Sequence, residues 1–422
     1  EEKLSIVRKF HSVSNEVLKW KNIFPNEHGD WLGERSDVFE TFIPLEPTSK
    51  FDSLSPSFFI INSLGVFTNR DPWSYNFSKK ELSVNISRMI DFYNDEVDRF
   101  IKHKSKSSSI DTNDFIDKNS KKISWTSSLI PKLEKGIKAH FEKNKIYHAI
   151  HRPFIKELIY FGEHLIHRRG QFQEFYPRPY EYDNMVIFLT GIGAKGDFST
   201  FITNKISDGQ LVQNCQSLPL YYYEERSKQS PSLFDATGDN EFIKRDGISD
   251  FILERAKKQY GKNVTKEDIF YYVYGFLHSP EYRTTFANDL KKMLPRLPLV
   301  DEPREFWKFS KAGRELAELH VNYENVEPYQ KVKVTGDDGK FYTVEKMRFP
   351  AKDRKDTIIY NSKITVSNIP EKAYEYVVNG KSAIEWIMER YQVTVHKESG
   401  IKNDPNDWAK EVGNPRYILD LL

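Results

Sequence analysis

A glycine-rich motif, GIGAKG at 191–196, has the spacing of a loop that binds a dinucleotide or S-adenosylmethionine. Such a loop needs a helix that begins at its third glycine, so that the first helical amides face the phosphates. The residues that follow, DFSTFITN, are β-branched and aromatic and favour a strand. The sequence therefore favours a glycine-rich turn between two strands over a cofactor loop.

His-x-x-His occurs twice, as His148 with His151 and as His164 with His167. Two histidines three residues apart can share a metal ion on one face of a helix. No carboxylate or thiol lies at an obvious spacing for a third ligand, although Glu157 is near. We therefore expect no metal, and interpret these histidines as buried side chains with partners or as strand residues that face phosphate.

The stretch YVYGFLHSPEYR at 271–282 places a histidine, a serine, a glutamate and an arginine together, as a catalytic loop would. Thr265 can cap a helix through KEDIFYYVYGFLH. Ser279, Pro280 and Glu281 then have the order N-cap, N1 and N2 of a second helix. A joint between two helices explains these residues, and the following LPRLP is predicted to be extended because residues before proline avoid the α region.

Motifs of the common catalytic centres are absent from the sequence. It contains no G-x-S-x-G, no G-x-x-x-x-G-K-[ST] and no H-E-x-x-H. It also lacks the Asn-Pro-Pro-aromatic tetrad with which an amino-methyltransferase would hold its target amine, and paired carboxylates at a nuclease spacing. We therefore predict no catalytic residue, no bound cofactor and no metal site in this chain.

The composition is that of a protein without disulfides or membrane spans. A single cysteine, Cys215, excludes an intramolecular disulfide and a zinc–thiolate site, and indicates an intracellular, cytoplasmic protein. There is no run of 18 apolar residues and no signal-peptide pattern. The first residue is Glu1 rather than Met, as in a fragment or a trimmed chain.

The pattern of elements predicts an α+β protein with mixed sheets and hairpins around a helical segment. Residues 1–105 end in an amphipathic helix that Ser78 caps, and residues 106–145 are predicted to be a basic linker. Residues 146–422 are predicted to form one domain with a β-rich part (146–245), a helical part (248–320) and a part of hairpins and a helix (329–422). QKVKVTGDDGKFYTVEKMRF predicts two strands around a Gly-Asp-Asp-Gly turn, and DTIIYNSKITVSNI predicts a second hairpin.

Five motifs occur in an order that resembles a known family: FPNEHGDW, SLGVFTNRDPWSYNFSK, HRPF with IYF, YGFLHSPEYR with LPRLP, and VNGKSAIEWIMERYQV with SGIKNDPNDW. The pattern is similar to the C-terminal region of type ISP restriction–modification enzymes, from about residue 20 to residue 410. These single-chain enzymes join a nuclease, an ATP-dependent translocase, an adenine-N6 methyltransferase and a target-recognition domain. The family's catalytic motifs lie upstream of such a region and none is present here.

The resemblance implies the end of the methyltransferase region followed by a target-recognition domain that reads double-stranded DNA. It implies the upstream methyltransferase and translocase domains of the same polypeptide as partners. It also implies S-adenosylmethionine, ATP and Mg²⁺ as cofactors of the full-length enzyme, with none in this chain.

DNA recognition needs cations on phosphates and side chains on base edges. Although the net charge is only +2, residues 331–363 contain nine lysines and arginines against five acids. The candidate phosphate contacts are Lys333, Lys340, Lys352, Arg354, Lys355, Arg152, Arg168 and Arg169. For base edges, Arg348 is predicted to pair with guanine, and Asp337 and Asp338 to accept from cytosine.

Two alternatives remain open from the sequence. One is a protein-interaction module that uses the helix at 78–103 and exposed aromatic residues. The other is an S-adenosylmethionine-dependent DNA methyltransferase in its own right, with Gly191 to Gly196 as its cofactor loop.

Overall fold

The computed structural model describes residues 2–9, 21–47, 49–106, 111–179, 181–226 and 241–422. Within these residues the chain is an α+β protein, as predicted. The α-helices are α1 (Glu2–Arg8), α2 (Asp37–Glu40), α3 (Asp71–Ser74), α4 (Lys79–Lys104), α5 (Thr112–Phe115), α6 (Ile130–Glu134), α7 (Phe172–Phe175), α8 (Asp250–Tyr260), α9 (Lys266–Phe276), α10 (Pro280–Thr285), α11 (Ala287–Lys292), α12 (Pro303–Val321), α13 (Ala383–Arg390), α14 (Pro405–Glu411) and α15 (Tyr417–Asp420). Short 3₁₀ helices lie at Lys143–Lys145, Tyr323–Asn325 and Glu371–Tyr374.

The strands are short and belong to several small sheets. They are β1 (Ile43–Pro44), β2 (Ser63–Leu64), β3 (Tyr75–Asn76), β4 (Ile146–Arg152), β5 (Ile155–Tyr160), β6 (Val186–Leu189), β7 (Thr200–Thr203), β8 (Ile206–Ser207), β9 (Gln216–Pro219), β10 (Tyr221–Glu225), β11 (Phe242–Asp246), β12 (Arg296–Leu297), β13 (Lys333–Thr335), β14 (Thr357–Ile359), β15 (Thr365–Ser367), β16 (Val377–Val378), β17 (Lys381–Ser382), β18 (Thr394–Val395) and β19 (Lys402–Asn403). Among the described residues, no helix has the length and apolar content that crossing a membrane requires.

The sheet β2-β9-β6-β7 lies between two hydrophobic cores. Successive side chains of a strand point to opposite faces. In β6, Val186 and Phe188 therefore enter one core, while Ile187 and Leu189 enter the other. This explains why the strand reads as a continuous apolar run. The first core contains the buried apolar side chains of α4 and those between Val344 and Leu419. The second core contains buried side chains of the helices from α8 to α12.

The caps predicted from the sequence are present. Ser78 accepts a hydrogen bond from the Glu81 amide at the start of α4. Thr265 forms a capping box with Asp268 at α9, and Ser279 caps α10 with Pro280 as its first residue. The joint between helices is thus confirmed for YVYGFLHSPEYR, and Arg296–Leu297 of LPRLP is extended as β12.

The segment predicted as a basic linker, residues 106–145, contains α5 and α6 where it is described. Its apolar side chains lie in the first core, with Ile123 and Leu133 at most 1% exposed. The division of the chain into domains stays a prediction.

The predicted hairpin around Gly336–Gly339 is wrong, whereas the one within 357–367 is confirmed. In the three-stranded sheet β13-β15-β14, β13 pairs with β15, and β14 pairs with the same strand from its other side. The chain after the turn is not a strand, because side-chain amides bind its backbone. Asn406 bonds the amide and the carbonyl of Val344, at 2.9 and 2.8 Å.

Candidate nucleic-acid interface

An exposed basic groove of about 540 Å³ lies beside the sheet β13-β15-β14. We call it the basic groove, and its walls are the segment 341–348 and the hairpin segment 359–363. Its lining residues are Phe341, Thr343, Glu345, Lys346, Arg348, Ile359, Asn361, Ser362 and Lys363.

Backbone and amide hydrogen bonds fix the two walls of the basic groove. The amide of Arg348 donates to the carbonyl of Ile359 at 3.1 Å, and the reverse bond is 2.8 Å. The side-chain amide of Asn361 donates to the carbonyls of Phe341 and Thr343, at 2.7 and 3.0 Å. The groove is therefore a fixed backbone shape from which the longer side chains project.

Three cations and one carboxylate line the basic groove. The cations are Lys346, Arg348 and Lys363, and the carboxylate is Glu345. Arg348 is exposed, and no carboxylate of the described residues lies within 4 Å of its guanidinium. Such cations carry no cost of desolvation until a ligand covers them. The excess of positive charge in a rigid concave surface suits a polyanion.

Around the groove, the predicted lysines and arginines fall into two groups. Lys333, Lys340 and Lys352 are exposed, and none has an ion pair within the described chain. Lys355 pairs with Glu385 at 2.8 Å, and the Arg354 guanidinium lies 3.9 Å from Asp356.

The two predicted acceptors for cytosine differ in their surroundings. The carboxylate of Asp337 pairs with Arg416 and accepts a hydrogen bond from the hydroxyl of Tyr342 at 2.8 Å. Asp338 is exposed and accepts the amide of Lys340 at 3.2 Å. The role of both residues in base recognition stays a prediction, and Asp338 has the more accessible carboxylate.

Arg152, the next predicted phosphate contact, lies in a buried ion cluster, which we define as Asp71, His151, Arg152, Glu157 and Asp208. The guanidinium of Arg152 lies 2.6 Å from Asp208 and 3.9 Å from Asp71. Its side chain is only 15% exposed. Burial of a single charge is costly. The hydrogen-bonded pairing of Arg152 with Asp208 offsets this cost for both residues.

A β-bulge places His151 at the centre of the buried ion cluster. The register of β4 against β5 shifts between Ile150 and Arg152, so His151 is the extra residue. Its Nδ1 lies 3.0 Å from Glu157, its Nε2 lies 3.6 Å from Asp71, and its ring stacks on Tyr75 at 4.2 Å.

Burial by itself lowers the pKa of His151. The charge of Glu157 and the hydrogen-bonding carboxylates of Asp71 and Glu157 outweigh burial and raise this pKa to about 9. With His151 protonated, two cations, His151 and Arg152, face the three carboxylates of the cluster.

The two remaining predicted arginines follow the cluster along the chain. Arg168 is exposed, and its backbone pairs with Phe67 through two hydrogen bonds of 2.9 Å. Arg169 pairs with Glu163 at 3.0 Å. Arg168 thus stays accessible to a phosphate, whereas Arg169 already has a partner.

The glycine-rich motif is a turn between the antiparallel strands β6 and β7, as predicted. The amides of Lys195 and Gly196 both donate to the side-chain carbonyl of Gln213 at 2.9 Å. Two amides that a phosphate would need are therefore already bonded.

The histidine motifs do not form ligand pairs in the structure. Among the described residues, the groups that could hold a metal are Asp71 with His151 and Asp208, and Glu27 with His28 and Asp37. His151 thus meets carboxylates rather than His148, in line with its interpretation as a buried histidine with partners.

Three groove residues were missed from the sequence: Lys346, Asn361 and Lys363. Lys346 lies two residues before Arg348, and side chains at this spacing share a face in an extended segment. That signal could have identified Lys346. No local signal brings Asn361 and Lys363 to the opposite wall.

Comparison with known proteins gives a consistent match. A family described as the Type ISP C-terminal specificity domain matches residues 57–421. The search of curated proteins finds no match.

Three solved structures are similar over the whole chain. One is a nuclease-deletion mutant of the Type ISP restriction-modification enzyme LlaGI in complex with a DNA substrate mimic, with 37% identity and a TM-score of 0.83. The ATP-dependent Type ISP enzyme LlaBIII bound to DNA has 36% identity and a TM-score of 0.84, and the DrdV–DNA complex has 26% and 0.78. The match spans 36% of the LlaGI chain, 26% of the LlaBIII chain and 40% of the DrdV chain.

Proposed function

The chain belongs to the Type ISP C-terminal specificity domain family, and from this premise we propose that it recognises a specific sequence of double-stranded DNA. The observation that carries the proposal is the family match over residues 57–421. The similar LlaGI and LlaBIII structures, each described with DNA or a DNA mimic, support it.

In the proposed mode of binding, the basic groove faces the duplex. Lys333, Lys340 and Lys352 contact phosphates and set the register of the protein on the duplex. An exposed lysine without an ion pair breaks no interaction within the protein when it binds a phosphate. Arg348 contacts a base edge in the major groove, where its planar guanidinium can bond guanine through two hydrogen bonds.

Asn361 has a supporting role in this proposal. Its side chain is held by two carbonyls of the opposite wall, so it fixes the width of the groove rather than bonding a base. Arg168 is a further phosphate contact outside the groove, because it is exposed and has no ion pair within the described chain.

We further propose that the chemistry resides in other domains of a larger single-chain enzyme. These are a nuclease, an ATP-dependent translocase and an adenine-N6 methyltransferase, which use Mg²⁺, ATP and S-adenosylmethionine. The chain spans 36% of the LlaGI chain and 26% of the LlaBIII chain, which leaves room for such domains. The cytoplasm is the proposed site of action, because DNA is accessible there.

A protein-interaction role for the helix at 78–103 has less support. The apolar face of this helix holds Leu82, Ile86, Met89, Tyr93 and Phe100, and these residues are at most 2% exposed in the first core. That face is therefore not accessible to another protein.

Selection of duplexes from a randomised pool tests the proposal. The chain would be incubated at about 150 mM salt, where non-specific binding to phosphates is weak. We expect enrichment of one short asymmetric sequence. Recovery of duplexes without any shared sequence, or no recovery, would contradict sequence recognition by this chain.

A further inference from the structure

A large cavity lies apart from the basic groove, and none of the residues proposed to contact DNA lines it. Its volume is about 720 Å³, and its walls come from residues 67–73, 113–130, 208–210 and 396–399. The first wall contains Thr-Asn-Arg-Asp-Pro-Trp at 68–73, part of a motif that the DNA-binding proposal leaves unexplained.

Arg70 lines this cavity and is an unusual arginine. It is 2% exposed, and its Nη2 donates to the hydroxyl of Thr126 at 2.7 Å. Its Nε and Nη1 are buried and have no hydrogen-bond partner. Within the described chain, no carboxylate lies within 4 Å of this guanidinium, in contrast to Arg152.

An unpaired buried guanidinium is costly, because charge is removed from water without a counter-ion. Burial lowers the pKa of Arg70 to about 10, so the group is still charged near neutral pH. A protein normally compensates a buried charge with a partner.

The carboxylates that line the cavity do not supply this partner. Asp71 faces His151 and accepts the hydroxyl of Thr68, while Asp208 pairs with Arg152. Both therefore already pair with cations of the buried ion cluster. The third lining carboxylate, Glu398, is exposed.

The remaining lining favours an anion that carries a larger organic part. Lys118, Ser120, Ser124 and Gln210 offer a cation and polar groups, and the half-buried Trp125 adds an indole ring. A volume of about 720 Å³ exceeds the space that an inorganic phosphate occupies. It falls within the roughly 300–1,000 Å³ of small-molecule sites in proteins.

We propose that this cavity binds a phosphate-bearing ligand whose phosphate pairs with Arg70. Guanidinium and phosphate match in geometry, since parallel N–H donors meet two oxygens. The phosphate has two candidate sources, a free nucleoside monophosphate and a phosphodiester of DNA. The fit of the cavity to a small molecule and the indole ring of Trp125 favour the nucleotide.

Calorimetric titration of the whole chain tests the site, with inorganic phosphate, deoxyadenosine monophosphate and a short duplex as separate probes. We expect the nucleotide to bind and to raise the midpoint of thermal unfolding. Arg70→Met removes the buried charge, so we expect weaker nucleotide binding by about tenfold or more. We also expect its ligand-free midpoint to lie above that of wild type.

Gln210→Glu is the second variant, because Gln210 is an exposed lining residue whose change leaves the core intact. A new carboxylate there repels the phosphate and should weaken binding. Arg255→Met, an exposed arginine of α8 outside the cavity, is the matched control and should bind like wild type.

The outcomes distinguish a free nucleotide from a DNA phosphate, and both from the absence of a binding site. Nucleotide binding that Arg70→Met and Gln210→Glu both weaken supports a free nucleotide. Duplex binding that these two variants weaken, while Arg255→Met leaves it unchanged, supports a DNA phosphate. If no probe binds, or if Arg70→Met and Gln210→Glu bind every probe like wild type, the proposed site is wrong. The result is independent of sequence selection, which uses wild-type protein without added nucleotide.

Discussion

Arg152 and Arg348 were both predicted from the sequence as DNA contacts, yet they lie in opposite environments. Arg152 is 15% exposed and lies 2.6 Å from the carboxylate of Asp208, within the buried ion cluster. Arg348 is exposed on the wall of the basic groove, without a carboxylate within 4 Å in the described structure. The buried ion cluster holds elements of the fold together, and the basic groove is open to a ligand.

The difference shows what decides whether a cation is available for DNA. A phosphate that approached Arg152 would have to replace Asp208, and would leave a buried carboxylate unpaired. A phosphate that approaches Lys333 or Lys352 displaces only water and counter-ions. Availability therefore depends on the partner, and not on the charge of the residue.

Removal of a cation from the cluster should have the largest effect. Arg152→Ala leaves Asp208 buried without its partner, so we expect the free energy of unfolding to fall by about 3–5 kcal/mol. Urea denaturation measures this change. Arg168→Ala, an exposed arginine nearby, is the matched control and should change stability by less than about 0.5 kcal/mol. Equal losses of stability in the two variants would show that the buried pair of Arg152 with Asp208 stabilises the fold no more than an exposed arginine does.

The pH dependence of stability should report His151. Its pKa rises from 6.5 in the unfolded chain to about 9 in the folded protein. The protonated form is therefore stabilised by folding, fully below pH 6.5, and this stabilisation is lost as the pH rises towards 9. The loss corresponds to about 3 kcal/mol.

Urea denaturation of wild type and His151→Gln between pH 6 and pH 9 isolates this contribution. The difference in stability between the two proteins should shrink as the pH rises, because only wild type loses the proton. A difference that stays constant over this range would mean that His151 is neutral in the folded cluster.

Arg348→Ala should affect specificity and leave stability unchanged. Loss of a bidentate contact with guanine removes about 1–3 kcal/mol of discrimination at one base pair. Selection from a randomised pool would then return a site that is degenerate at one position and otherwise unchanged. A selected consensus sequence identical to that of wild type would show that Arg348 does not recognise a base.

The smallest effect is expected for single phosphate contacts. Lys352→Ala should weaken binding to all duplexes and reduce the slope of log affinity against log salt by about 1. Lys355→Ala was predicted from the sequence to do the same, but Lys355 pairs with Glu385 at 2.8 Å. We expect the change in slope to be smaller for Lys355. Fluorescence anisotropy across a salt series compares the two variants. A larger change in slope for Lys355→Ala than for Lys352→Ala would show that an ion pair does not reduce the contribution of a lysine to DNA binding.

Local signals in the sequence predicted the helix starts well. Ser78, Thr265 and Ser279 cap the helices that were expected, because a cap depends on residues three positions apart. The strand runs of the central region were predicted for the same reason, since alternation and β-branched residues act locally.

Long-range partners could not be predicted. The expected hairpin at 331–348 fails because Asn406, more than 60 residues away in sequence, binds the backbone of Val344. The pairing of Arg152 with Asp208 likewise joins positions 56 residues apart. Charge, visible in the sequence, identified candidate cations, while their partners depend on the fold.

Hydrogen–deuterium exchange of the chain with and without its selected duplex tests the central claim most directly. The basic groove should face DNA, so amides within 341–348 and 359–363, including those of Arg348 and Ile359, should exchange more slowly in the complex. Amides of β4 and β5 around the buried ion cluster should be unchanged. Protection of β4 and β5 with no change in the groove segments would contradict the assignment of the basic groove as the surface that reads DNA.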